Sequence, residues 1–576
     1  MQAKHYLDEL AWLREMGAEL ARTRPELSRY LGEAGADPDV ERLFEGFAFL
    51  TGRIREKLDD EFPELTHGVL EMLCPHYLRP VPALALVQVR AKPNMVAPGL
   101  TLPRGSLLES VPVDGTRCRF RTVADLAPAP VELVGLEVTT GRPRSLRLKL
   151  RPVPGLALPA DAPPRPLRLF CTGDGPVARA LHVALCRQVQ RILVRFGDGR
   201  PPLAVAAQVQ PGGLADAEAA LPLPDGSFRG FRLLQEYFAF PERFLCVDVH
   251  GVAAASGTQG EFELLFELRE AAAELPPVSA ANLALDIVPA VNLFAHDADP
   301  IRFQPGRFEY RIRPAGVDPR HYDAHSVAKV VGRVRGSATV QEYEPFFAFG
   351  PKDRAAGRFY RLRRRDAPSG VGSDLFLRLG AEDPLAWADV DTVSLDLWCT
   401  NRDLPLRLGP GDIARPAADT STAFSFRNLG APTPPVPPPL GDEVYWRLLA
   451  HLSLDLQRLA TVTNLRTALA LYDFRARVDR QARRRLDNLL EAIGAVDTAR
   501  AVVLHDGLPI AGVDVRLALD EAKCGGDGEA HLFGTVLAEF LAQGVALNSF
   551  VRLAIDCTGD RERFLWPARL GRKIVL

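Results

Sequence analysis

Residues 37–58 read DPDVERLFEGFAFLTGRIREKL, and this stretch decides how the N-terminal region folds. Its apolar residues recur at steps of three and four, the spacing of one stripe along an α-helix. The stripe consists of Val40, Leu43, Phe47, Leu50, Ile54 and Leu58. Asp37-Pro38-Asp39 is a typical N-terminal cap, and Pro63 ends the run. The sequence therefore predicts a helix that begins near Val40 and ends before Pro63.

Phe49 does not belong to this stripe. At ~100° per residue it lies about 200° around the helix from Phe47, on the side that carries Gly46, Gly52 and Arg53. Two interpretations stay open for a second apolar face of this kind. Phe49 covers a neighbouring helix of the same domain, or it anchors a helix bundle formed with another chain.

The middle of the chain changes from helical to strand periodicity. Residues 84–90, 145–150 and 262–268 are short apolar runs, and Gly/Asp turn signals such as Gly173-Asp174-Gly175 separate such runs. We assign residues 83–285 and 286–430 to two β-rich domains.

A proline-rich connector and a mixed C-terminal region follow. Residues 431–440 form a semi-rigid polyproline II segment. Beyond it, periodicity predicts a helix over Tyr445–Leu459, a strand over 513–519, a helix over 533–541 and a strand over 551–555. The predicted fold class is thus α+β and multidomain. Its parts are an N-terminal helical segment (1–82), the β-rich middle, the connector and a C-terminal mixed α/β domain (441–576).

Composition argues against several function classes. The net charge of −2 and pI near 6.6 provide no global field that would attract nucleic acid or anionic lipid. No run approaches the ~18 apolar residues of a membrane span, and the N-terminus lacks the apolar core of a secretory signal. The eight cysteines are scattered singly, which favours free thiols in a reducing compartment. We expect a cytoplasmic protein without direct membrane insertion.

Local motifs for chemistry are weak. Gly525-Gly526-Asp527-Gly528 precedes a helix, but it lacks the Gly-Lys-Ser/Thr ending of a P-loop, so we interpret it as a hairpin or cap turn. His321 and His325 are four residues apart, yet Gly316 and Pro319 favour a loop over a metal-binding helix. We predict no catalytic residue, no metal and no cofactor, and hence not an enzyme.

Two arginine-rich segments admit two interpretations. They contain Arg358, Arg361, Arg363, Arg364 and Arg365, and Arg475, Arg477, Arg480, Arg483, Arg484 and Arg485. A nucleic-acid surface requires basic residues interleaved with aromatic platforms, and here Phe359 and Tyr360 are the nearest candidates. Asp366, Asp479 and Asp487 reduce the local charge, which favours a solvated or intersubunit salt-bridging surface.

A series of segments follows the order found in one known family. They are Glu41–Leu50, Arg53–Asp60, Pro63–Thr66, Pro75–Pro80, Val288–Phe294, Asn401–Pro405, Trp446–Leu454, Leu471–Phe474, Asn548–Phe550 and Trp566–Arg569. Through these segments the chain resembles the TssF family of type VI secretion system baseplate proteins along nearly its whole length.

The resemblance implies a structural baseplate wedge subunit, similar to wedge proteins of contractile phage tails. The implied partners are TssG, a second TssF copy, TssK, TssE and the VgrG hub, with the assembly docked at the inner-membrane complex and supporting sheath assembly and effector delivery. We expect no nucleic acid partner. The predicted partner-binding residues are Phe44, Phe47, Phe49, Leu50, Arg53, Ile54, Tyr445, Trp446, Leu449, Asn548 and Phe550. The alternatives are a nucleic-acid-binding scaffold and a β-rich carbohydrate-active enzyme.

Overall fold

The structure is a computed structural model of the 576-residue chain. It describes residues 2–24, 26, 30, 37–59, 68–72, 74–95, 97, 99–139, 141–154, 156, 165–197, 199–223, 228–252, 260–269, 275–304, 307, 309–334, 340–346, 358–367, 372–381, 390–440, 461–558 and 563–572.

The α-helices lie at the two ends of the chain and beside the sheets between them. They are α1 (Gln2–Thr23), α2 (Pro38–Asp59), α3 (Gly175–Val183), α4 (Arg229–Ala239), α5 (Val462–Tyr472), α6 (Arg480–Ala492), α7 (Glu521–Cys524) and α8 (Asp527–Gln543). A further helical stretch covers residues 68–72.

The strands fill the middle and return at the C-terminus. The first fourteen are β1 (Leu84–Ala91), β2 (Leu107–Val113), β3 (Thr116–Thr122), β4 (Val131–Thr139), β5 (Ser145–Pro152), β6 (Leu167–Cys171), β7 (Val189–Phe196), β8 (Leu203–Val205), β9 (Gln208–Pro211), β10 (Cys246–His250), β11 (Phe262–Leu268), β12 (Leu283–Ala284), β13 (Ile287–Val291) and β14 (Phe294–Asp297). The others are β15 (Ile301–Arg302), β16 (Tyr310–Arg311), β17 (Asp323–Val334), β18 (Val340–Pro345), β19 (Arg358–Asp366), β20 (Ser373–Ala381), β21 (Val390–Thr400), β22 (Ile413–Pro416), β23 (Phe424–Asn428), β24 (Ile493–His505), β25 (Leu508–Leu519), β26 (Phe550–Cys557), β27 (Phe564–Leu565) and β28 (Arg569–Leu570).

The chain forms two compact units. The first contains α1 and α2, and the second contains the five sheets with the remaining labelled helices. The α+β class that the sequence predicted, with N-terminal helices, a β-rich middle and a C-terminal mixed region, is confirmed. The domain boundaries stay a prediction.

The first sheet joins strands that are far apart in sequence. Its order is β22-β2-β3-β13-β1-β23, so β1 lies between β13 and β23 and pairs antiparallel with both. Val87 and Val89 are two residues apart and therefore point to the same face of β1. Both are fully buried together with Phe120 and Phe424. Because contacts of such high sequence separation form this core, β1 depends on strands near residues 290 and 426 for its position.

The other sheets of the middle are mainly antiparallel. Their orders are β12-β6-β10-β9, β4-β5-β11-β7-β8 and β14-β21-β17-β18-β19-β20-β16 with β15 on β21. The predicted strands at 145–150 and 262–268 are confirmed as β5 and β11, which pair with each other. The eight cysteines are free thiols, as expected from their scattered spacing.

The connector at residues 431–440 lies on the second unit as an extended segment. Val81 and Val436 exchange backbone hydrogen bonds at 2.8 and 2.9 Å, and the N–H of Leu84 donates to Oγ1 of Thr433. Pro432, Val436 and Pro438 are buried. A polyproline-type segment suits this position because its prolines need no hydrogen bond from their own nitrogen.

The C-terminal sheet has the order β24-β25-β26-β27, with β28 on β26. Strand β25 pairs in parallel with β26, and α8 connects them by crossing over the sheet. The predicted helix near Phe533 and the strands near 513 and 551 are confirmed. Strand β24, helix α5 and helix α6 were not predicted, and the predicted helix Tyr445–Leu459 lies outside the described residues.

Candidate partner-binding surfaces

Helices α1 and α2 pack against each other, and Leu10 of α1 is buried along with small residues of both helices. Gly17 of α1 and Ala48 and Gly52 of α2 are buried. Ala48 and Gly52 are four residues apart, so they lie on the same face of α2. Small residues let two helix backbones approach closely, because the distance between axes depends on the side chains at the contact. The contact therefore covers little of the large apolar side-chain area of α2.

An ion pair joins the two helices. Nη2 of Arg14 donates to Oε2 of Glu41 at 2.8 Å, and Nε of Arg14 lies 3.2 Å from each carboxylate oxygen. The hydrogen bond to Glu41 is the main reason why the pKa of Arg14 is raised above its ordinary value. Glu41 and Ala48 are seven residues apart and share a helix face. The ion pair thus supports the arrangement in which this face of α2 meets α1.

The apolar stripe predicted on α2 faces outward. Leu43 is 64% exposed, Phe47 is 61% exposed and Leu50 is 59% exposed. Phe49 is 55% exposed on another side of the helix, and Phe44 is half-buried. Most large apolar side chains on a helix of a soluble protein are covered. The described residues leave both apolar sides of α2 open.

Helix α1 carries a second set of exposed apolar side chains, which the sequence interpretation missed. Trp12, Met16 and Leu20 are exposed and follow one another at steps of four, so they form a stripe. Leu7 is exposed on another side of α1. The spacing of Trp12, Met16 and Leu20 is a signal that could have identified this stripe from the sequence. We refer to Trp12, Met16 and Leu20 with Leu43, Phe47 and Leu50 as the apolar stripes.

The remaining predicted partner-binding residues have different positions. The side chains of Arg53 and Ile54 lie outside the described residues, as do Tyr445, Trp446 and Leu449. Asn548 is exposed in the turn before β26.

Phe550 is not a surface residue, contrary to its predicted role in partner binding. It is fully buried at the start of β26, directly opposite Gly512 in β25, and a Cβ atom at Gly512 would overlap its ring. The side chain fills the space that glycine leaves in the neighbouring strand. Phe550 therefore belongs to the core of the C-terminal sheet.

The arginines of residues 475–485 form several ion pairs with nearby carboxylates. Arg475 pairs with Asp479, and Arg483 pairs with Asp487 at 3.1 Å one helical turn away. Arg485 reaches Glu529 on α8. These pairs tie α6 and the turn before it to their surroundings, which fits the salt-bridging interpretation better than a nucleic-acid surface.

The other arginine segment includes a buried structural residue. Arg364 is buried in β19, and its guanidinium donates to the backbone oxygens of Ala324 and His325 and to Oγ of Ser373. Burial of a guanidinium requires such acceptors. Arg364 thus joins β19 to β17 and β20 and is not available to a phosphate backbone.

The glycine-rich sequence before α8 is a cap turn, as predicted. Gly525 ends α7 with φ of 107°, and Gly526 precedes α8 with φ of 95°. Both are left-handed conformations that suit glycine. A Cβ atom at Gly528 would overlap Arg179 of α3. The turn is closed against α3 rather than open to a ligand.

The histidine pair does not lie on a helix. His321 lies in a turn, where its Nδ1 is 2.8 Å from Oγ1 of Thr116, and His325 lies in β17. His325 is buried, and burial lowers its pKa well below the ordinary value. Among the described residues, no group of three or more His, Cys, Asp or Glu side chains is placed to hold a metal ion.

The described helices include none with the length and apolar character needed to span a membrane.

Comparison with known proteins identifies the family. The model of the family described as "Type VI secretion system, TssF" matches residues 2–573. The chain belongs to the TssF family.

A curated family member and two solved structures support the assignment. The type VI secretion system component TssF1 of Pseudomonas aeruginosa is 31% identical, and the alignment covers 99% of this chain and 98% of that protein. A chain in a cryo-electron microscopy structure of a TssK-TssF-TssG baseplate subcomplex is 30% identical, with a TM-score of 0.76 over 92% of this chain and 99% of that chain. A chain in a structure of the type VI secretion baseplate complex is 27% identical, with a TM-score of 0.65 over the full length of both chains.

In this TssF family member, two of the segments that carried the resemblance meet in the core. Asn292 and Asn401 are buried, and the Nδ2 of Asn292 donates to Oδ1 of Asn401 at 2.9 Å. In return the backbone N–H of Asn401 donates to Oδ1 of Asn292 at 2.7 Å. Both side chains also bond the backbone of Arg119 in β3. Asn292 follows β13 of the first sheet, and Asn401 follows β21 of another sheet. Their hydrogen bonds therefore join the two sheets at this point.

Two other such segments form an aromatic cluster. Tyr77 packs edge-on against Tyr472 and Phe474, with centroid distances of 5.8 and 4.9 Å. Its hydroxyl donates to the backbone oxygen of Leu471 at 3.1 Å. Edge-to-face aromatic pairs are favourable beyond their buried area. The TssF-like segments near residues 77 and 472 precede and follow the β-rich middle in the sequence, and they are in direct contact in the fold.

Proposed function

We propose that this TssF family member is a structural wedge subunit of a type VI secretion baseplate and that it catalyses no reaction. The family match over nearly the whole chain supports the proposal. The structures that it resembles are described as a baseplate subcomplex and a baseplate complex.

The proposed partners begin with those named in the subcomplex, TssK and TssG. A second TssF copy, TssE and the VgrG hub complete the set that the family resemblance implies. In this assembly the chain supports sheath assembly and effector delivery. The proposed location is the cytoplasm, docked at the inner-membrane complex, with no nucleic acid partner, no cofactor and no direct membrane insertion.

The observation that carries the proposal is the outward orientation of the apolar stripes. Fully burying a Leu, Phe or Met side chain contributes about 1.5–3 kcal/mol. Exposed apolar groups arranged in rows are typical of surfaces that another protein covers. We propose that α1 and α2 enter a helical bundle with TssG, with Ile54 continuing the stripe of α2 and Phe44, Phe49 and Arg53 beside it.

The wedge proposal assigns two further contact regions. Tyr445, Trp446 and Leu449 form one, and Asn548 forms the other. Both are proposals from the sequence resemblance, and Asn548 is at least exposed to solvent.

Co-expression with TssG tests the bundle. We expect Phe47→Ser with Leu50→Ser to reduce recovery of TssG at least tenfold in a pull-down, because two anchors of the bundle are lost. The matched control is Glu45→Ser, which places the same residue at an exposed position of the same helix. The control should recover TssG at the wild-type yield.

Co-expression with both TssG and TssK should give a larger complex. Native mass spectrometry should measure a mass greater than that of this chain with TssG alone. Recovery of TssG by the double variant at the wild-type yield would refute the bundle assignment. A purified chain that stays monomeric with all co-expressed partners would refute the wedge proposal itself.

A further inference from the structure

A polar cleft lies in the second unit between the first sheet and the segment before α4. It has a volume of about 460 Å³. Its walls come from the turn at Arg104-Gly105, the end of β3 at Arg121, the segment 219–223 and Arg232 of α4. This volume is within the range of sites that bind small molecules or side chains.

Three arginines line this cleft, and the partners of their guanidinium groups differ. Arg232 is paired with Asp216, whose Oδ1 accepts from its Nη2 at 2.8 Å. Arg121 instead stacks on the uncharged ring of Trp398, at 4.4 Å from the ring centroid. Arg104 is exposed, and its backbone N–H, not its guanidinium, binds Asp125. The described residues that line the cleft include no carboxylate.

No carboxylate among the described lining residues therefore neutralises the positive charges of Arg104 and Arg121. Partial burial, together with the neighbouring charge of Arg104, lowers the pKa of Arg121. A half-buried charge beside a like charge is unfavourable, and an anion that contacts both groups would offset both effects. Stacking on Trp398 holds the plane of the Arg121 guanidinium, so its N–H groups are oriented in advance.

The chemistry of the walls distinguishes between anions. Phosphate sites commonly combine basic side chains with free backbone N–H groups. Here the N–H groups of Ala220 and Leu221 already donate to Oε1 of Glu236, at 3.0 and 2.9 Å. The other lining residues are apolar side chains such as Pro222 and Val291, a glycine, and Thr122, whose hydroxyl already donates to the backbone oxygen of Pro103. The apolar part of this wall suits the methylene groups of a glutamate side chain.

We propose that this cleft binds a carboxylate side chain from an acidic segment of a partner protein, held by Arg104 and Arg121. A planar carboxylate matches the fork of donors on a guanidinium. The inference goes beyond the wedge proposal and does not depend on it, since it rests on the cleft alone.

The test uses the full chain and a tetraglutamate peptide as the probe, measured by isothermal titration calorimetry at low salt. We expect Arg104→Gln with Arg121→Gln to weaken peptide binding at least tenfold. Arg104→Gln alone should weaken it about threefold, and since Arg104 is exposed this variant is expected to fold normally. The matched control is Arg117→Gln. Arg117 lies on β3 with Arg121 but pairs with Glu109 at 3.2 Å. This variant should bind the peptide as the wild type does.

Inorganic phosphate is the second probe. Binding of phosphate more tightly than tetraglutamate, with loss in the double variant, would overturn the assignment to a partner's carboxylate and indicate a small-anion site. Absence of tetraglutamate binding to the wild type, or equal binding by the wild type and both Arg104 variants, would overturn the site altogether.

Discussion

Helices α2 and α8 show opposite uses of apolar residues. In α8 every residue from Glu529 to Gln543 is buried, and a Cβ atom at Gly534 would overlap the ring of Trp566. In α2 the buried positions include Ala48 and Gly52, while Leu43 and Phe47 face outward. The difference shows that α8 is covered by its own chain, whereas the described residues leave the large side chains of α2 uncovered.

The largest expected effect compares one phenylalanine from each helix. Phe533→Ala in α8 removes a fully buried ring and should lower the free energy of unfolding of the second unit by about 3–5 kcal/mol. Phe47→Ala in α2 should change stability by less than about 0.5 kcal/mol, because the ring is exposed. Urea denaturation followed by circular dichroism measures both. Equal losses would mean that the stripe on α2 is covered within the chain.

A second contrast concerns carboxylates. Glu45 on α2 is exposed, whereas Asp286 before β13 is half-buried and its Oδ1 accepts from the N–H of Ala129 at 2.7 Å. Burial raises the pKa of Asp286 from 3.8 to about 7. Since the folded pKa is above the unfolded one, its contribution to stability is complete below pH 3.8 and is lost as the pH rises through 7.

Asp286→Asn should therefore raise stability at pH 8 relative to the wild type, by an amount on the order of 4 kcal/mol at most. Asparagine tolerates the left-handed φ of 58° at this position, so the backbone is kept. Melting temperatures between pH 5 and 8 are the measurement, with Glu45→Gln at an exposed carboxylate as the control. A wild-type profile that rises towards pH 8 to the same extent as that of Asp286→Asn would contradict the assignment.

The smallest effects come from one substitution made in each helix. Gly534→Ala should destabilise by about 2 kcal/mol, because its Cβ atom would overlap Trp566 and Ile555. Gly46→Ala should stabilise α2 by about 0.5–1 kcal/mol, since nothing lies within 4 Å of its Cβ atom and alanine is the better helix former. Thermal unfolding of the two variants checks the opposite signs. Destabilisation by Gly46→Ala would show that another segment packs on that side of α2.

Periodicity predicted much of the fold because it depends only on neighbouring residues. It located α2, β5, β11, α8 and β26. It missed the hairpin of β24 and β25, although Asp506-Gly507, with φ of 50° and 79°, is a strong two-residue turn signal between apolar runs.

What covers a predicted face could not be read from the sequence. The stripe on α2 was correctly grouped, but the pattern does not state whether its own chain or another one buries it. Phe550 was placed on a surface because the motif around it matched the family, whereas its burial depends on Gly512, far away in the sequence.

The cleft is a further case, since Arg104, Arg121 and Arg232 come together only in the folded chain. No local spacing signals such a site. Sites made of residues from separate elements require the three-dimensional arrangement.

The hydrogen bonds between Val81 and Val436 have a topological consequence. They place the two ends of the β-rich middle side by side, so the chain makes a closed excursion between residues 81 and 436. Insertions or deletions in the loops of this excursion leave the two flanking segments side by side.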